Sequence, residues 1–487
     1  MRAPETKRHR RAASPSVSAR LSARVTLEAQ ADGTILACFD GYSVGLGKFS
    51  PEVTDRTQAL RTGLALASFA SGARSLDKEI QVLVRRLAGL RLLEYCLRPA
   101  RSDEDRVVIE PQVADYWPAT PRLGNADVLV LSRFAYMRLR GNEMVLESPR
   151  AGALFRICDP AIAAAIAMLA APQPIKRLRR QDGFPGLELL ALLVGCQILL
   201  KIDAAGDNGL RGAEGDLVLW DFHDLLFHAR STEGRHGNPL GGVYPHAGVL
   251  PPLPAVRPRW PGKPIDLREI AAAHSQPTSS LAKLLRERNS TRSFDDQRPI
   301  TLVELARLLD GTARVLSQST SRLGERGPTV AYAARPYPSA GACYELELYP
   351  AVDHCKGLAR GLYHYDAGRH ALVPIGTRTQ EFEALLREAQ SAMDAPAAPQ
   401  ILITIAARFG RVSWKYSSLA YALILKDVGV LTQTLYLMAT DMGLGGCAVG
   451  IVNIDLFAKM TGIEFHVEGP VGQFALGHSA RPDDHGG

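Results

Sequence analysis

Apolar positions recur along the chain at two different periods. Leu76, Ile80, Leu83, Val84 and Leu87 fall at helical spacing and predict a helix that stops at Gly89. The runs RLLEYCLRP and DRVVIEP follow as strands on either side of a charged turn at residues 100–105. VLVLSRFAYMRL and EMVLES predict a hairpin around Gly141-Asn142, a pair suited to a two-residue turn. Asp159-Pro160 then supplies an N-cap and a first-turn proline to the helix AIAAAIAMLAA. A helix over 187–196, strand ILLKI, turn AGDNG and strand DLVLW complete a second copy of the same arrangement. Helices feeding a two-stranded wing, seen twice, predict tandem winged-helix-like modules over residues 25–125 and 126–250.

Downstream the pattern changes. Residues 251–264, PPLPAVRPRWPGKP, hold six prolines and predict an extended linker without regular hydrogen bonding. A helix over 279–288 leads into RNSTRSF. The capping box Thr301-x-x-Glu304 opens another helix, with Leu302, Leu305, Leu308 and Leu309 on its buried face. YELELYP alternates as a half-buried strand, and ILITIAARF reads as a more deeply buried one. Residues 419–442 are apolar nearly all round and predict a central, buried helix; VGQFALG is the last strand. Strands and helices without regular βα alternation indicate an α+β domain over residues 265–487.

Composition narrows the function classes. The 487 residues are 46% hydrophobic and 22% charged, ordinary for a globular protein, with a formal charge of +7. Residues 1–24 hold seven basic side chains against the single acid Glu5, so they carry +6 and the remaining chain only +1. Residues 1–24 are therefore expected to be a disordered basic tail, and nucleic acid is not an expected partner. Lys176, Arg177, Arg179 and Arg180 form the one tight basic cluster outside that tail, and a solvated helix face accounts for them. Uncharged apolar stretches at 161–171 and 189–200 fall short of the ~20 residues of a membrane span. The seven cysteines are scattered with no C-x-x-C, which fits buried thiols in a reducing cytoplasm and no metal site.

Dinucleotide, P-loop, H-E-x-x-H and G-x-S-x-G signatures are all absent. Three constellations remain. In Arg288-Asn289-Ser290-Thr291-Arg292, an extended backbone projects two guanidinium groups and one hydroxyl to one side, a donor set suited to a phosphate and polyol chain. Ser339, Ala340 and Gly341 are small enough to let backbone approach a flat ligand. Lys415-Tyr416 stands at the boundary between a buried strand and a buried helix, where functional groups tend to be displayed.

Taken together and in order, RNSTRSF, RPYPSAGACYELELYP, GLYHYDAGRHAL, WKYSSLAYALILKDVG, DMGLGGCAVG and GPVGQFALG resemble the nitroreductase-like flavoproteins, specifically the SagB/ThcOx-type azoline oxidases. Residues 220–242 and the upstream modules also resemble the longer members. The resemblance implies a nitroreductase-like flavodomain, a mixed central sheet wrapped by helices, binding FMN at a homodimer interface. By position it implies phosphate and ribityl contacts from Arg288, Asn289, Ser290 and Arg292, with Arg481 a further phosphate ligand. Ser339, Ala340 and Gly341 would line the isoalloxazine, with Gly445 and Gly446 opposite, and Lys415 and Tyr416 match the catalytic pair. The implied activity is oxidation of thiazoline or oxazoline rings to azoles in a ribosomally made precursor peptide, with oxygen as acceptor. A leader peptide or a YcaO-type cyclodehydratase is the partner expected for the upstream modules. Two rival readings share the flavin: an NAD(P)H-dependent nitro- or quinone reductase, and a DNA-binding flavin-sensing regulator.

Overall fold

The first strand lies inside the segment expected to be a tail. In the computed structural model Ser16–Leu21 (β1) is paired on both sides, with Leu64–Ala65 (β2) and with Leu93–Arg98 (β3). Val17, Ala19 and Leu21 are buried at period two, while Arg20 pairs with Glu94 and Asp105. The alternation is present in the sequence, but the Arg- and Ser-rich composition of residues 1–24 as a whole hides it. The expected tail of residues 1–24 therefore ends before residue 16. The structure describes residues 16–39, 41–66, 75–98, 104–181, 184–202, 214–232 and 279–480, with isolated positions at 235, 248–249, 251, 254–256 and 265–268. Most of the proline-rich linker and Arg481 lie outside them.

The chain divides into two compact units, Met1–Gly237 and Asn238–Gly487. In the first, helix Ser75–Gly89 (α1) feeds β3 and Val107–Pro111 (β4), as the apolar spacing predicts. Tyr136–Arg140 (β5) and Glu143–Glu147 (β6) form the hairpin around Gly141-Asn142, and Ala153–Ile157 (β7) follows. The sheet order is β2-β1-β3-β4-β7-β6-β5. Pairing of β4 with β7 carries one sheet across residue 125, so the two expected modules share a sheet and a single hydrophobic core. Two further expectations are corrected. VLVL and YMRL are not one strand: Val128–Leu131 pairs with Leu199–Ile202 in a separate three-stranded sheet. The segment DLVLW is a 3-10 turn, Gly215–Leu219, and not the second strand of a wing. Asp159 does cap helix Pro160–Ala167 (α2), its carboxylate accepting the Ala161 N–H at 2.9 Å. Leu187–Gly195 (α3) and Phe222–Ser231 (α4) complete the unit's longer helices.

The second unit centres on a six-stranded sheet. Its strands are Leu346–Val352 (β8), Gly361–Asp366 (β9), Ala371–Ile375 (β10), Ile401–Arg408 (β11), Gly445–Val449 (β12) and Glu468–Gly477 (β13), in the order β10-β9-β8-β11-β13-β12. All pairings within it are antiparallel, in place of the mixed sheet expected. The unit's parallel pair, Ile300–Thr301 with Cys355–Lys356, stands apart from it. Strand β8 is buried on both faces because helices cover both sides of the sheet, so the predicted half-buried alternation fails there.

Helices Ser280–Glu287 (α5), Leu302–Ala313 (α6), Thr379–Met393 (α7), Gly410–Ser413 (α8), Ala420–Asp441 (α9) and Ile454–Thr461 (α10) surround the sheet. The Thr301/Glu304 capping box forms as predicted, with both reciprocal bonds present. Helix α9 buries one stripe, including Ala420, Tyr421, Ile424, Leu431 and Leu435, while Lys426, Gln433 and Asp441 are exposed. Among the described residues it is the one helix long and apolar enough to cross a membrane, by length and composition alone. It carries Lys426 and Asp427 in its second turn and packs on β12, β13 and α6, the place of a core helix.

Ala19 is fully buried in β1. Substituting Ala19→Asp places an unpaired carboxylate in the core and should cost about 3 kcal/mol or more, read as a lowered urea midpoint. A tail position would show no change.

Candidate functional site

The loop ahead of β8 is tightly curled. Gly341, Ala342 and Tyr344 all have positive φ (57°, 55° and 46°), and residues Ala340–Ala342 make a single 3-10 turn. Such a run is costly for residues with a Cβ, so side-chain bonds must hold it. Ser339 supplies them. Its Oγ accepts the Tyr344 N–H at 2.9 Å and lies 3.0 Å from Asp427 Oδ2 and 3.2 Å from Glu345 Oε2. Asp427 Oδ2 also accepts the Ala340 N–H at 2.9 Å. Asp427 reaches in from α9, and Glu345 is the residue just before β8.

Lys415 and Tyr416 meet this loop. They follow α8, where both backbone N–H groups donate to the Val412 carbonyl at 2.9 Å. Lys415 Nζ donates to the Gly341 carbonyl at 3.0 Å and stands 5.4 Å over the Tyr416 ring. A Cβ at Gly341 would lie 2.3 Å from the Tyr416 hydroxyl and 2.5 Å from Lys415 Nζ, so only glycine fits both the turn and the contact. Arg411 secures the same corner, donating to the Cys343 carbonyl from Nε at 3.1 Å and Nη2 at 2.9 Å. The second and third constellations of the sequence thus form one cluster.

The first constellation forms another. Beyond α5, the Arg288 guanidinium lies 5.0 Å over the Tyr436 ring, and Ser290 Oγ is 2.9 Å from the Tyr436 hydroxyl. That hydroxyl accepts the Ala448 N–H at 2.7 Å, and Thr291 N–H donates to the Gly446 carbonyl at 2.8 Å. Arg292 reaches the Cys447 sulfur; burial pushes that thiol's pKa up and Arg292 pulls it back. Asn289 is exposed, its Oδ1 taking the Thr291 hydroxyl at 3.3 Å. Arg288, Ser290 and Arg292 therefore all reach one patch on α9 and β12, as alternate projection predicts. Among the described residues neither guanidinium has a carboxylate partner. Two uncompensated guanidinium groups flanking a hydroxyl fit a phosphate ester.

Gly445 and Gly446 are accounted for by packing within the chain. A Cβ on Gly445 would meet the Thr291 side chain at 2.6 Å, and one on Gly446 the Phe474 ring at 2.4 Å. The two clusters do not face each other across α9. Asp427 and Tyr436 are nine residues apart, which at ~100° and ~1.5 Å per residue puts them on opposite faces about 13 Å apart along the axis.

Three residues of these clusters escape a reading of the sequence. Asp427 had a usable signal, an acid inside an apolar helix, which must find a partner when buried. Glu345 reads as solvent-facing in an alternating strand, and Tyr436 reads as ordinary core. Burial and the neighbouring Asp427 push the Glu345 carboxyl well above the ordinary carboxylate range.

Residues 129–237 match the family model described as cyanobactin oxidase ThcOx, and residues 285–478 match that of the nitroreductase family. MJ1384 of Methanocaldococcus jannaschii, assigned by name to the nitroreductases, is 35% identical over 170 residues, covering 35% of this chain and 78% of that protein. Among solved structures, a chain of the E. coli microcin synthetase McbBCD complex with truncated pro-MccB17 bound is 20% identical with a TM-score of 0.40, over 55% of this chain and 97% of that one. A nitroreductase family protein from Clostridium difficile 630 is 16% identical with a TM-score of 0.27, over 42% and 86%.

If packing explains Gly446, Gly446→Ala should cost about 1–3 kcal/mol in urea unfolding, as overpacking does. Combined with Phe474→Leu, which makes room, the double-mutant cycle should show favourable coupling of about 1 kcal/mol.

Proposed function

The chain belongs to the nitroreductase family, in its SagB/ThcOx-type branch, and on that premise we propose that it oxidises azoline rings of a ribosomally made peptide to azoles with FMN. The observation that carries this reading is the seating of Lys415 and Tyr416 on the Gly341 turn, in a chain that also holds the cyanobactin-oxidase segment. Arg288, Asn289, Ser290 and Arg292 would hold the phosphate and ribityl chain, with Arg481 assigned by its place after the last strand. Ser339, Ala340 and Gly341 would lie along the ring system, with Gly445 and Gly446 as backbone neighbours on the other side. A bound FMN supplies the acceptor for two electrons and one proton as hydride, and oxygen is the proposed final acceptor.

The chain's own task is the second proton. Aromatising an azoline removes one C–H as hydride and one as a proton, so a base must stand beside the ring. Lys415 and Tyr416 are the titratable side chains seated against the Gly341 turn. A lysine acts as a base where water is excluded from its amine, and substrate seated over the exposed Lys415 would exclude it. The other member of the pair is then left to donate a hydrogen bond to the ring heteroatom.

A homodimer completes the reading. The phosphate-type and ring-type clusters lie on opposite faces of α9, so a site containing both takes one from each of two copies. Helix α5 leaves Leu281 and Leu285 exposed, an apolar stripe without cover among the described residues. The first unit is the proposed holder of the leader peptide or of a cyclodehydratase partner. Strand β5 is an edge of its sheet. Arg140 faces Glu143 across the two-residue turn, so Leu139 is a non-hydrogen-bonded position whose N–H and carbonyl point away from β6; the carbonyl takes the exposed Arg138 guanidinium at 3.5 Å, a bond that an added strand would replace. The likeness to MJ1384 also suggests a simple reductase, but it covers 35% of the chain and leaves residues 129–237 without a task.

The purified protein should be yellow, keep its colour with NAD(P)H without air, and bleach with azoline peptide. Lys415→Ala and Tyr416→Phe should retain FMN, and at least one should lose about 100-fold or more in azole formation; two wild-type rates would remove the assignment. Leu139→Pro in the full chain should weaken leader binding about tenfold or more by fluorescence anisotropy while the bound flavin is unchanged. Unaltered binding would move the leader elsewhere.

A further inference from the structure

The bonds around Ser339 do not balance unless an extra proton is present. The hydroxyl owns one proton, yet its oxygen lies within hydrogen-bond distance of two carboxylate oxygens, on Asp427 and Glu345, while one of its two lone pairs takes the Tyr344 N–H and the other is left to accept a proton. The hydroxyl proton can serve one carboxylate. The other short oxygen–oxygen contact is repulsive unless that carboxyl carries its own proton. Glu345 is 0% exposed and Asp427 6%, and the second Glu345 oxygen, Oε1, is buried without a hydrogen-bond partner.

Among the described residues no cation compensates the pair. Lys415 is committed to the Gly341 carbonyl and Arg411 to that of Cys343. Arg335 donates to the Leu346 carbonyl and stands with Arg408 beside Glu347. The Tyr337 hydroxyl and the Cys343 thiol nearby are neutral, with pKa values raised by burial. Lys426, next to Asp427 in the chain, is exposed. Among the described residues neither carboxylate makes an ion pair, and two bare charges in such a setting do not both persist.

We propose that Glu345 and Asp427 hold a single proton between them through Ser339, and that this proton clamps the 338–342 loop so that the Gly341 carbonyl holds Lys415 in place. Glu345 and Asp427 are positioning residues: they act through the loop. The proposal rests on the reading of Lys415 and Tyr416 as the working pair. When the proton leaves, like charges separate, the Ser339 and Ala340 bonds loosen, and the seat of Lys415 moves. The sign follows from the raised Glu345 pKa: the folded state binds the proton more tightly than the unfolded chain. The associated stability is present at acid pH and is lost as pH rises through the folded pKa.

The test compares wild type with Glu345→Gln, whose amide N–H replaces the carboxyl proton without titrating. Infrared difference spectra of the protein without added flavin should show a protonated-carboxyl band at pH 6 that disappears by pH 9, absent in Glu345→Gln. The wild-type thermal midpoint should fall relative to Glu345→Gln over the same range. FMN affinity, read by fluorescence quenching, should fall by up to about tenfold per pH unit in wild type and stay level in the variant. If Glu345→Gln does not fold, Asp427→Asn takes its place with the same expected flattening. Absence of the band in wild type, or parallel pH profiles in wild type and variant, overturns the shared proton even if azoline peptide is oxidised. Failure to oxidise the peptide with the band present defeats the functional reading and leaves the shared proton standing.

Discussion

Helix α9 determines where the loops of the second unit can sit. Its apolar stripe packs it on β12, β13 and α6, and two of the polar groups it buries, Asp427 and Tyr436, then dictate the loops around it. Asp427 takes the Ala340 N–H and lies against Ser339 on one face; the Tyr436 hydroxyl takes the Ala448 N–H and lies against Ser290 on the other. A polar group taken out of water must be bonded, so each of these contacts fixes the loop it touches as firmly as apolar packing fixes the helix.

The curl at 338–342 shows what such fixing accomplishes. Ala342 and Tyr344 in the left-handed region cost about 1–2 kcal/mol each, and they persist because the Ser339 hydroxyl and the Asp427 carboxylate hold the backbone across the turn. The conformation brings the Gly341 carbonyl against Lys415 and leaves no room for a Cβ beside Tyr416. Strain, glycine and the Lys-Tyr pair are parts of one arrangement, and the buried carboxylates are what stabilise it.

The two units differ in how openly their order was written in the chain. In the second, the capping box at Thr301, the buried strand β11 and the small-residue loop were all readable, because each is set by neighbours a few residues away. In the first, β1 was hidden by the basic, serine-rich segment it lies in, and its place between β2 and β3 depends on partners more than 40 residues distant. The two-module division failed for the same reason: pairing of β4 with β7 joins segments that look like separate repeats. DLVLW has a strand's composition, yet it turns as a 3-10 segment against Arg133, which donates to the Leu217 and Trp220 carbonyls.

The chain alone determined the residue types of the site and their order: two guanidinium groups around a hydroxyl, a small-residue turn, and a Lys-Tyr pair. Those are local facts of spacing and chemistry, legible without a fold. Only the tertiary structure decided that the turn and the Lys-Tyr pair form one cluster while the guanidinium groups lie on the far face of α9. It alone brought in Asp427, Glu345 and Tyr436, whose importance depends on what surrounds them. A carboxylate's proton affinity is a property of its environment, and the environment exists only once residues about 80 positions apart in the chain are packed against one another.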